Sequence, residues 1–301
     1  MDETTDLTVT REIADGARVD PGARVGPFCA IGPEATIGPG TVLEAHVTVT
    51  GHTTIGSDNL ISHGCVIGTA PQDLKYSGQP TYLVIGDRNR FGPNVTVHVG
   101  TEAGGYLTYI GNHNDIGCGA HVAHDCYLDD HTQLGPRVML AGHIRVEDGA
   151  VIEEMVGVHH FTTIGRFSRV GARTPVRRDV PPFIFFTSTG YYASPAIIKG
   201  VHETGLEAGG LSEQEKVQVR QAVSYLFEDE QALAVKVDQM LTRGDLSGPV
   251  QELCRFCRKS LQGHFGRFRE TFRGKMPPEA RPRLPAEALA EMPPEEGEGL
   301  G

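Results

Sequence analysis

An aliphatic residue falls at every sixth position from Ile110 to Val176, without a break in phase. The run reads Ile110, Ile116, Val122, Leu128, Leu134, Leu140, Val146, Ile152, Val158, Ile164, Val170 and Val176. The same register appears earlier, from Ile13 through Val19, Val25, Ile31, Ile37, Leu43, Val49, Ile55 and Ile61 to Ile67. A period of six fits neither an amphipathic helix nor an ordinary half-buried strand. It predicts a mainly β chain, a parallel β-helix of hexapeptide repeats whose short strands meet at tight corners. The aliphatic residue of each hexad points into the coil. Glycine follows it in Ile31-Gly32, Ile37-Gly38, Ile55-Gly56, Ile110-Gly111 and Ile164-Gly165, which keeps the corner backbone unstrained.

Two excursions interrupt the register, residues 69–80 and the glycine-rich 100–106, with a brief return at Ile85, Phe91 and Val97. Loops that leave a rigid scaffold are where binding residues concentrate. The repeat ends near Asp179-Val180-Pro181-Pro182 and the chain then turns helical. Ser212-Glu213-Gln214-Glu215 reads as a capping box before an amphipathic run to about Met240. A second helix is predicted from Val250 to about Thr271. The expected organisation is a β-helix over 1–188, a C-terminal α-helical domain over 189–274 and a disordered, Pro- and Glu-rich tail over 275–301. A solenoid end exposes apolar surface and unpaired strand edges, so the helices are expected to cap the last coil and oligomerisation to cover more.

A formal net charge of -11 argues against a nucleic-acid footprint, and it would repel an acidic carrier protein unless basic residues cluster locally. Arg166, Arg169, Arg173, Arg177 and Arg178 form such a group, which fits either a carrier-docking face or a solvated corner. The first residues, Met1-Asp2-Glu3-Thr4-Thr5-Asp6, are acidic and polar rather than a signal peptide. No apolar run approaches a membrane span, so no integral membrane segment is expected and the cytoplasm is the default compartment. Cys29, Cys65, Cys118 and Cys126 fall at repeat positions and read as small buried thiols. Cys254-Arg255-Phe256-Cys257 lacks a second ligand pair and reads as helix packing rather than a zinc site.

Set into the later run are His121-Val122-Ala123-His124-Asp125, Gly142-His143 and His159-His160. If three hexads make one coil, residues eighteen apart stack. His124, Gly142 and His160 then form one column, and Asp125, His143 and Phe161 the next. Two strand spacings would separate His124 from His160 by about 10 Å, the dimension of a small-molecule strip. A carboxylate beside His124 could hold the imidazole in one tautomer. Neighbours in a regular strand point to opposite faces, so His124 and Asp125 can meet only across a corner. The Gly142 N–H, one coil away, could stabilise an oxyanion. A zinc site would need three converging ligands.

The chain resembles the UDP-N-acetylglucosamine O-acyltransferases of lipid A biosynthesis, from about Val19 to Leu226. The resemblance rests on Asn59, Gln72-Asp73-Leu74-Lys75-Tyr76-Ser77-Gly78, Ile85-Gly86-Asp87-Arg88-Asn89-Arg90 and Val95-Thr96-Val97-His98. It continues through Ala120-His121-Val122-Ala123-His124-Asp125-Cys126, Leu140-Ala141-Gly142-His143, Val158-His159 and Asp179-Val180-Pro181-Pro182. It implies a left-handed coil, against the usual crossover rule. It also implies a homotrimer with sites between subunits, and transfer of a 3-hydroxyacyl chain from acyl carrier protein to the sugar 3-hydroxyl of a UDP-amino sugar. His124 would be the general base, Asp125 its orienting carboxylate and Gly142 the oxyanion donor. Gln72, Asp73, Lys75, His98, His121, His143, His159 and His160 would line the substrate cleft. Arg169 and Ala172 would stand at the acyl-chain pocket. No metal or redox cofactor is implied.

The chain departs from that pattern at identifiable positions. His160 stands where Gln is usual, Glu153 and Glu154 where glycines are usual, Val99 where Arg follows His98, and Gly92-Pro93 where an Arg-Glu pair is usual. A basic segment that serves the nucleotide phosphates reads Gly205-Leu206-Glu207-Ala208-Gly209-Gly210. Losing such cations weakens phosphate recognition, because charge-assisted bonds are the strong ones. Three readings therefore stand: the acyltransferase itself, an acyltransferase with another acceptor or a shorter donor, and a non-catalytic trimeric paralogue. The His124-Asp125 pair favours the first two, and the missing arginines favour the last two.

Overall fold

The structure is a computed structural model that describes residues 10–190, 195–228 and 231–282. Each hexad supplies a short strand, as in His121–Val122, Tyr127–Leu128 and Gln133–Leu134, and these three go to three different sheets. The second residue of each points inward: Val122, Leu128 and Leu134 are all buried. The next turn pairs parallel to the last, Val122 against Leu140 and Leu140 against Val158. The result is the left-handed parallel β-helix that the period and the resemblance call for.

The excursions enter without disturbing this register. Residue Tyr82 pairs with His52, and Thr96 with His121, so the usual offset widens at each loop and then resumes. A polar file also runs inside one corner of the coil. The Asn59 Oδ1 accepts from the Asn89 backbone at 2.9 Å and from its side chain at 3.0 Å. Asn89 donates to the Gly111 carbonyl at 2.9 Å, and its own Oδ1 accepts the Asn114 N–H at 2.9 Å. Asn114 Oδ1 in turn accepts from Thr132, and all three asparagines are buried. Buried amides of this kind satisfy corner backbone groups that the ladders leave over.

The third sheet continues beyond the coil. Ile184–Ser188 pairs parallel with Arg169–Val170 and then antiparallel with Ala196–Val201, so the sheet carries on past residue 188. Among the described residues four α-helices follow: α1 (Glu203–Ala208), α2 (Glu213–Phe227), α3 (Leu233–Leu241) and α4 (Gly248–Gln262). The capping box forms, with Ser212 accepting the Glu215 N–H and Glu215 accepting the Ser212 N–H. The single run expected to Met240 is instead two helices. The helix expected from Val250 to Thr271 starts at Gly248 and stops at Gln262. It stops because the chain doubles back at Gly263, where a Cβ would lie 2.2 Å from the Arg267 carbonyl oxygen. Leu206, Val219, Val223, Val237 and Leu253 join the coil's own apolar core, closing its end.

Cys254 and Cys257 are buried on α4, and burial pushes the Cys254 thiol up to about 11. Cys29, Cys65 and Cys126 are buried as expected, but Cys118 is exposed because it sits in the corner turn, two residues after the inward Ile116. The expected tail does not wholly leave the body: Met276 is buried, and Arg281 lies against Gly105. Its remainder, 283–301, lies outside the described residues. No helix among the described residues is long and apolar enough to cross a membrane.

The asparagine file gives a stability test. Asn89→Leu strips partners from Asn59, Gly111 and Asn114 at once, and buried polar groups left unpaired cost about 1–3 kcal/mol each. We expect a loss of at least about 2 kcal/mol in denaturant unfolding with the slope unchanged. A neutral variant would show that the file is incidental.

Candidate active site

The strand His121–Val122 ends, the chain turns, and Tyr127–Leu128 begins the next sheet. Asp125 sits at that turn with φ 61°, a left-handed conformation, and its stacked counterparts His143 and Phe161 share it at 64° and 62°. The corner therefore falls between His124 and Asp125. Adjacent side chains converge there, and His124 Nδ1 lies 2.7 Å from Asp125 Oδ2.

The second excursion wraps this carboxylate. Thr101 donates its N–H to Asp125 Oδ1 at 2.7 Å and its hydroxyl to Oδ2 at 2.6 Å. The Asp125 N–H donates to the Thr108 hydroxyl at 2.8 Å. Gly104 packs so closely on the carboxylate that a Cβ would lie 1.9 Å from its Cγ. Asp125 is fully buried as a result. A carboxylate can only accept, so Nδ1 of His124 carries the proton and Nε2 holds the lone pair; this tautomer is assigned from the network.

Gly142 sits under the ring. A Cβ there would lie 2.5 Å from His124 Cε1 and 2.8 Å from Nε2, closer than real side chains approach. The Gly142 N–H makes no hydrogen bond among the described residues, while its carbonyl accepts from Phe161 N at 3.2 Å. The stacked corner residues His124 and His160 likewise make no N–H hydrogen bond among the described residues, so the free N–H belongs to this turn, and at Gly142 no side chain covers it.

Neutral imidazoles surround the pair. His143 meets His124 edge-on at 5.1 Å and stacks on Phe161 at 4.3 Å. Burial lowers His143 to about 4, although Asp125 pulls the other way. His98 is likewise lowered to about 4 by burial and by the nearby His121 and His124. Its ring packs edge-on against His121, whose Nδ1 lies 2.7 Å from the Thr96 hydroxyl. His159 and His160 have ring centroids 3.9 Å apart, and burial lowers His160 to about 4. One ligand atom from each of His124, Asp125 and His143 lies within 4.8 Å of the others, close enough to hold a cation geometrically. The hydrogen bonds from Thr101 and His124 already occupy Asp125 Oδ2.

The other expected residues are placed less centrally. Asp73 accepts the Lys75 N–H at 2.9 Å and its field reaches His143, and with Lys75 it lines a cavity of about 390 Å³ beside Thr101. Gln72 is exposed, as is Leu74 at the loop tip. Arg169 belongs to the third sheet and Ala172 to the turn that follows its strand, away from the His124 corner within one chain. They are joined there by Glu153, which pairs with Arg169 and accepts the Ala172 N–H at 2.8 Å. Sequence reasoning missed Thr101 and Thr108. A threonine heading a glycine-rich loop next to the histidine repeat was the available signal.

A coil that sets a buried His–Asp pair over an unpartnered glycine N–H is built like a hexapeptide-repeat acyltransferase. The comparisons agree. The family model described as UDP N-acetylglucosamine O-acyltransferase, domain 2, matches residues 179–265. A UDP-N-acetylglucosamine O-acyltransferase from Moraxella catarrhalis is 32% identical with a TM-score of 0.76, over 82% of this chain and 94% of that one. The UDP-N-acetylglucosamine acyltransferase of Francisella novicida is 28% identical with a TM-score of 0.78, over 82% and 89%. LpxA from Acinetobacter baumannii is 31% identical with a TM-score of 0.74, over 81% and 93%. The chain belongs to the UDP-N-acetylglucosamine O-acyltransferase family.

The depressed histidines carry a pH dependence. His98 and His143 stay neutral in the fold down to about 4, whereas in the unfolded chain they titrate at their ordinary value. The unfolded state then binds more protons between about 6.5 and 4, so stability falls as the pH drops through that window. We expect denaturant midpoints to decline from pH 7 to pH 5. The His98→Gln, His143→Gln double variant should decline less, and an equal decline would contradict the assignment.

Proposed function

We propose that the protein transfers a (3-hydroxy)acyl chain from acyl carrier protein to the 3-hydroxyl of a UDP-amino sugar, the first step of lipid A biosynthesis. The observation that carries this reading is the His124–Asp125 pair with Nε2 set against Gly142. His124 Nε2 takes the proton of the sugar hydroxyl as its oxygen attacks the thioester carbonyl. The carbonyl oxygen gains the negative charge, and the Gly142 N–H is positioned to receive it. Collapse breaks the C–S bond, and His124 returns the proton to the carrier thiolate. Asp125 holds the ring and stabilises the imidazolium between these steps. The wall of neutral imidazoles leaves His124 as the proton acceptor.

His98, His121, His143, His159, His160, Gln72, Asp73 and Lys75 serve the substrates in this reading, with Arg169 and Ala172 at the acyl pocket. The exposed Gln72 and Leu74 loop tip and the distance of Arg169 from the corner support a homotrimer whose neighbouring subunits complete each site. A cytoplasmic setting fits the carrier donor. Of the basic group, Arg166 pairs with Glu252 and Arg169 with Glu153, which leaves the exposed Arg173, Arg177 and Arg178 to meet the carrier. A second reading, an acyltransferase with a different acceptor or shorter chain, is favoured by two places. Ala208 and Gly209 offer no cation to a phosphate, and the Glu153–Arg169 pair puts charge where acyl chain is expected.

The test is to incubate the protein with UDP-N-acetylglucosamine and acyl carrier proteins of graded chain length, with products read by mass spectrometry. His124→Ala should lower turnover by about 10²–10⁴-fold. Absence of any His124-dependent acyl-sugar, with every donor and acceptor tried, would sink this function. Turnover should also survive a chelator. Loss on chelation, restored by zinc, would show that the His124, Asp125 and His143 cluster works through a metal.

A further inference from the structure

The segment after α4 extends beyond the family match, which stops at residue 265, and lies against the acyl-transfer corner. Phe265 and Gly266 turn it back with φ of 54° and 68°. Asp179 anchors it: Oδ2 accepts from Phe268 N and from the Ser260 hydroxyl, each at 2.9 Å, and the Asp179 N–H donates to the Gly266 carbonyl at 2.8 Å. Arg267 adds a bond to the Arg177 carbonyl at 2.7 Å.

Two arginines then reach the site. Arg269 is buried, lies over the Tyr127 ring at 4.9 Å and donates from Nε to the His143 carbonyl at 3.0 Å. Its other contact is the Met276 sulphur at 3.9 Å, and no carboxylate pairs with it among the described residues. Burying a cation without a counter-charge is unfavourable, so a fold that keeps one spends stability on a specific contact. Arg273 lies over the Phe161 ring at 4.8 Å and donates to His160 Nε2 at 2.9 Å. Glu270 joins Arg267 and Arg273 between them. Phe161 stacks on His143, which meets His124 edge-on, and the segment touches this row of rings at the His143 carbonyl and at the Phe161 ring. Further on, Arg281 lies along Gly105, in the loop that binds Asp125.

We propose that residues 263–282 form a strap that positions the acyl-transfer corner, with Arg269 fixing His143 through its carbonyl and Arg273 fixing Phe161 and His160. The inference rests on His124 acting as the base of the proposed reaction. Neither arginine touches reacting atoms; both are positioning residues. The charged and titratable groups around His143 are Asp125, His124, Arg269 and Asp73, and those around His160 are His159, Glu270, Arg273 and Arg267. Each arginine favours the neutral form of the imidazole it holds.

The test uses the full chain with Arg269→Ala, Arg269→Lys and Arg273→Ala. With UDP-N-acetylglucosamine and acyl carrier donor, we expect kcat to fall about tenfold in the alanine variants, as misplaced geometry does. KM for the sugar should stay within about twofold, and Arg269→Lys should recover only part of the loss. Ring resonances should titrate higher for His143 in Arg269→Ala and for His160 in Arg273→Ala. If Arg269→Ala does not fold, the half-exposed Arg273 variant decides. A raised KM at unchanged kcat would make the strap a substrate ligand and overturn the proposal, as would unchanged kinetics. If the wild-type chain acylates no sugar, the proposed function fails while the strap remains decidable. Shifted imidazole titrations then support it, and unmoved ones overturn it.

Discussion

Side chains that neighbour each other on an extended chain point apart, and the proposed chemistry needs two neighbours that meet. The left-handed backbone at Asp125 resolves that conflict. It turns the carboxylate back onto His124, and the same conformation at His143 and Phe161 stacks their rings beneath it. Everything else at the site serves that one corner. Thr101 and Thr108 hold the carboxylate, and Gly104 lets the loop close on it. Gly142 leaves room for the imidazole one turn below. The coil supplies the repeat distance that makes these contacts simultaneous, which is how a scaffold of two-residue strands can hold a site to the tolerance catalysis needs.

Much of this was legible in the sequence because the coil converts sequence distance into spatial distance. Once the six-residue register was read as triangular turns, His124, Gly142 and His160 fell into a column, and the structure places the His124 ring on Gly142. The two loops were visible as lost phase, but what the second one grips was not. A threonine that finds a carboxylate twenty-four residues later leaves no periodic trace. The C-terminal part was legible in kind but not in its breaks. Ser212 announced α2 through its cap, whereas α4 ends at Gly263 in a tight local turn that the helix expected to Thr271 overran. Met276 and Arg281, in a stretch whose composition suggests disorder, lie against the body through contacts with distant residues.

Of the departures from the family pattern, His160 stands in the His124 column and Val99 follows the cleft residue His98. None falls within the His124, Asp125 and Gly142 set. Glu153, one of those departures, pairs with Arg169 and accepts the Ala172 N–H, so it is bound to both residues expected at the acyl-chain pocket. At α1, Gly205 and Gly209 lie against Phe167, and a Cβ at Gly205 would come 2.2 Å from its carbonyl oxygen. Glu203 is tied to Arg220. Gly209 and Gly210 nevertheless line a cavity of about 980 Å³ with Arg145, Arg166, Arg255 and Lys259, so cations from other elements stand beside the segment although α1 supplies none.

The most direct measurement of the central claim is the nitrogen-15 spectrum of the His124 ring near neutral pH. The account requires a neutral imidazole protonated on Nδ1, hydrogen-bonded to Asp125, with Nε2 bearing the lone pair, and Asp125→Asn should disturb that assignment. A ring protonated on Nε2 in the unaltered protein would leave no base facing Gly142, and the corner would not be the centre of the chemistry.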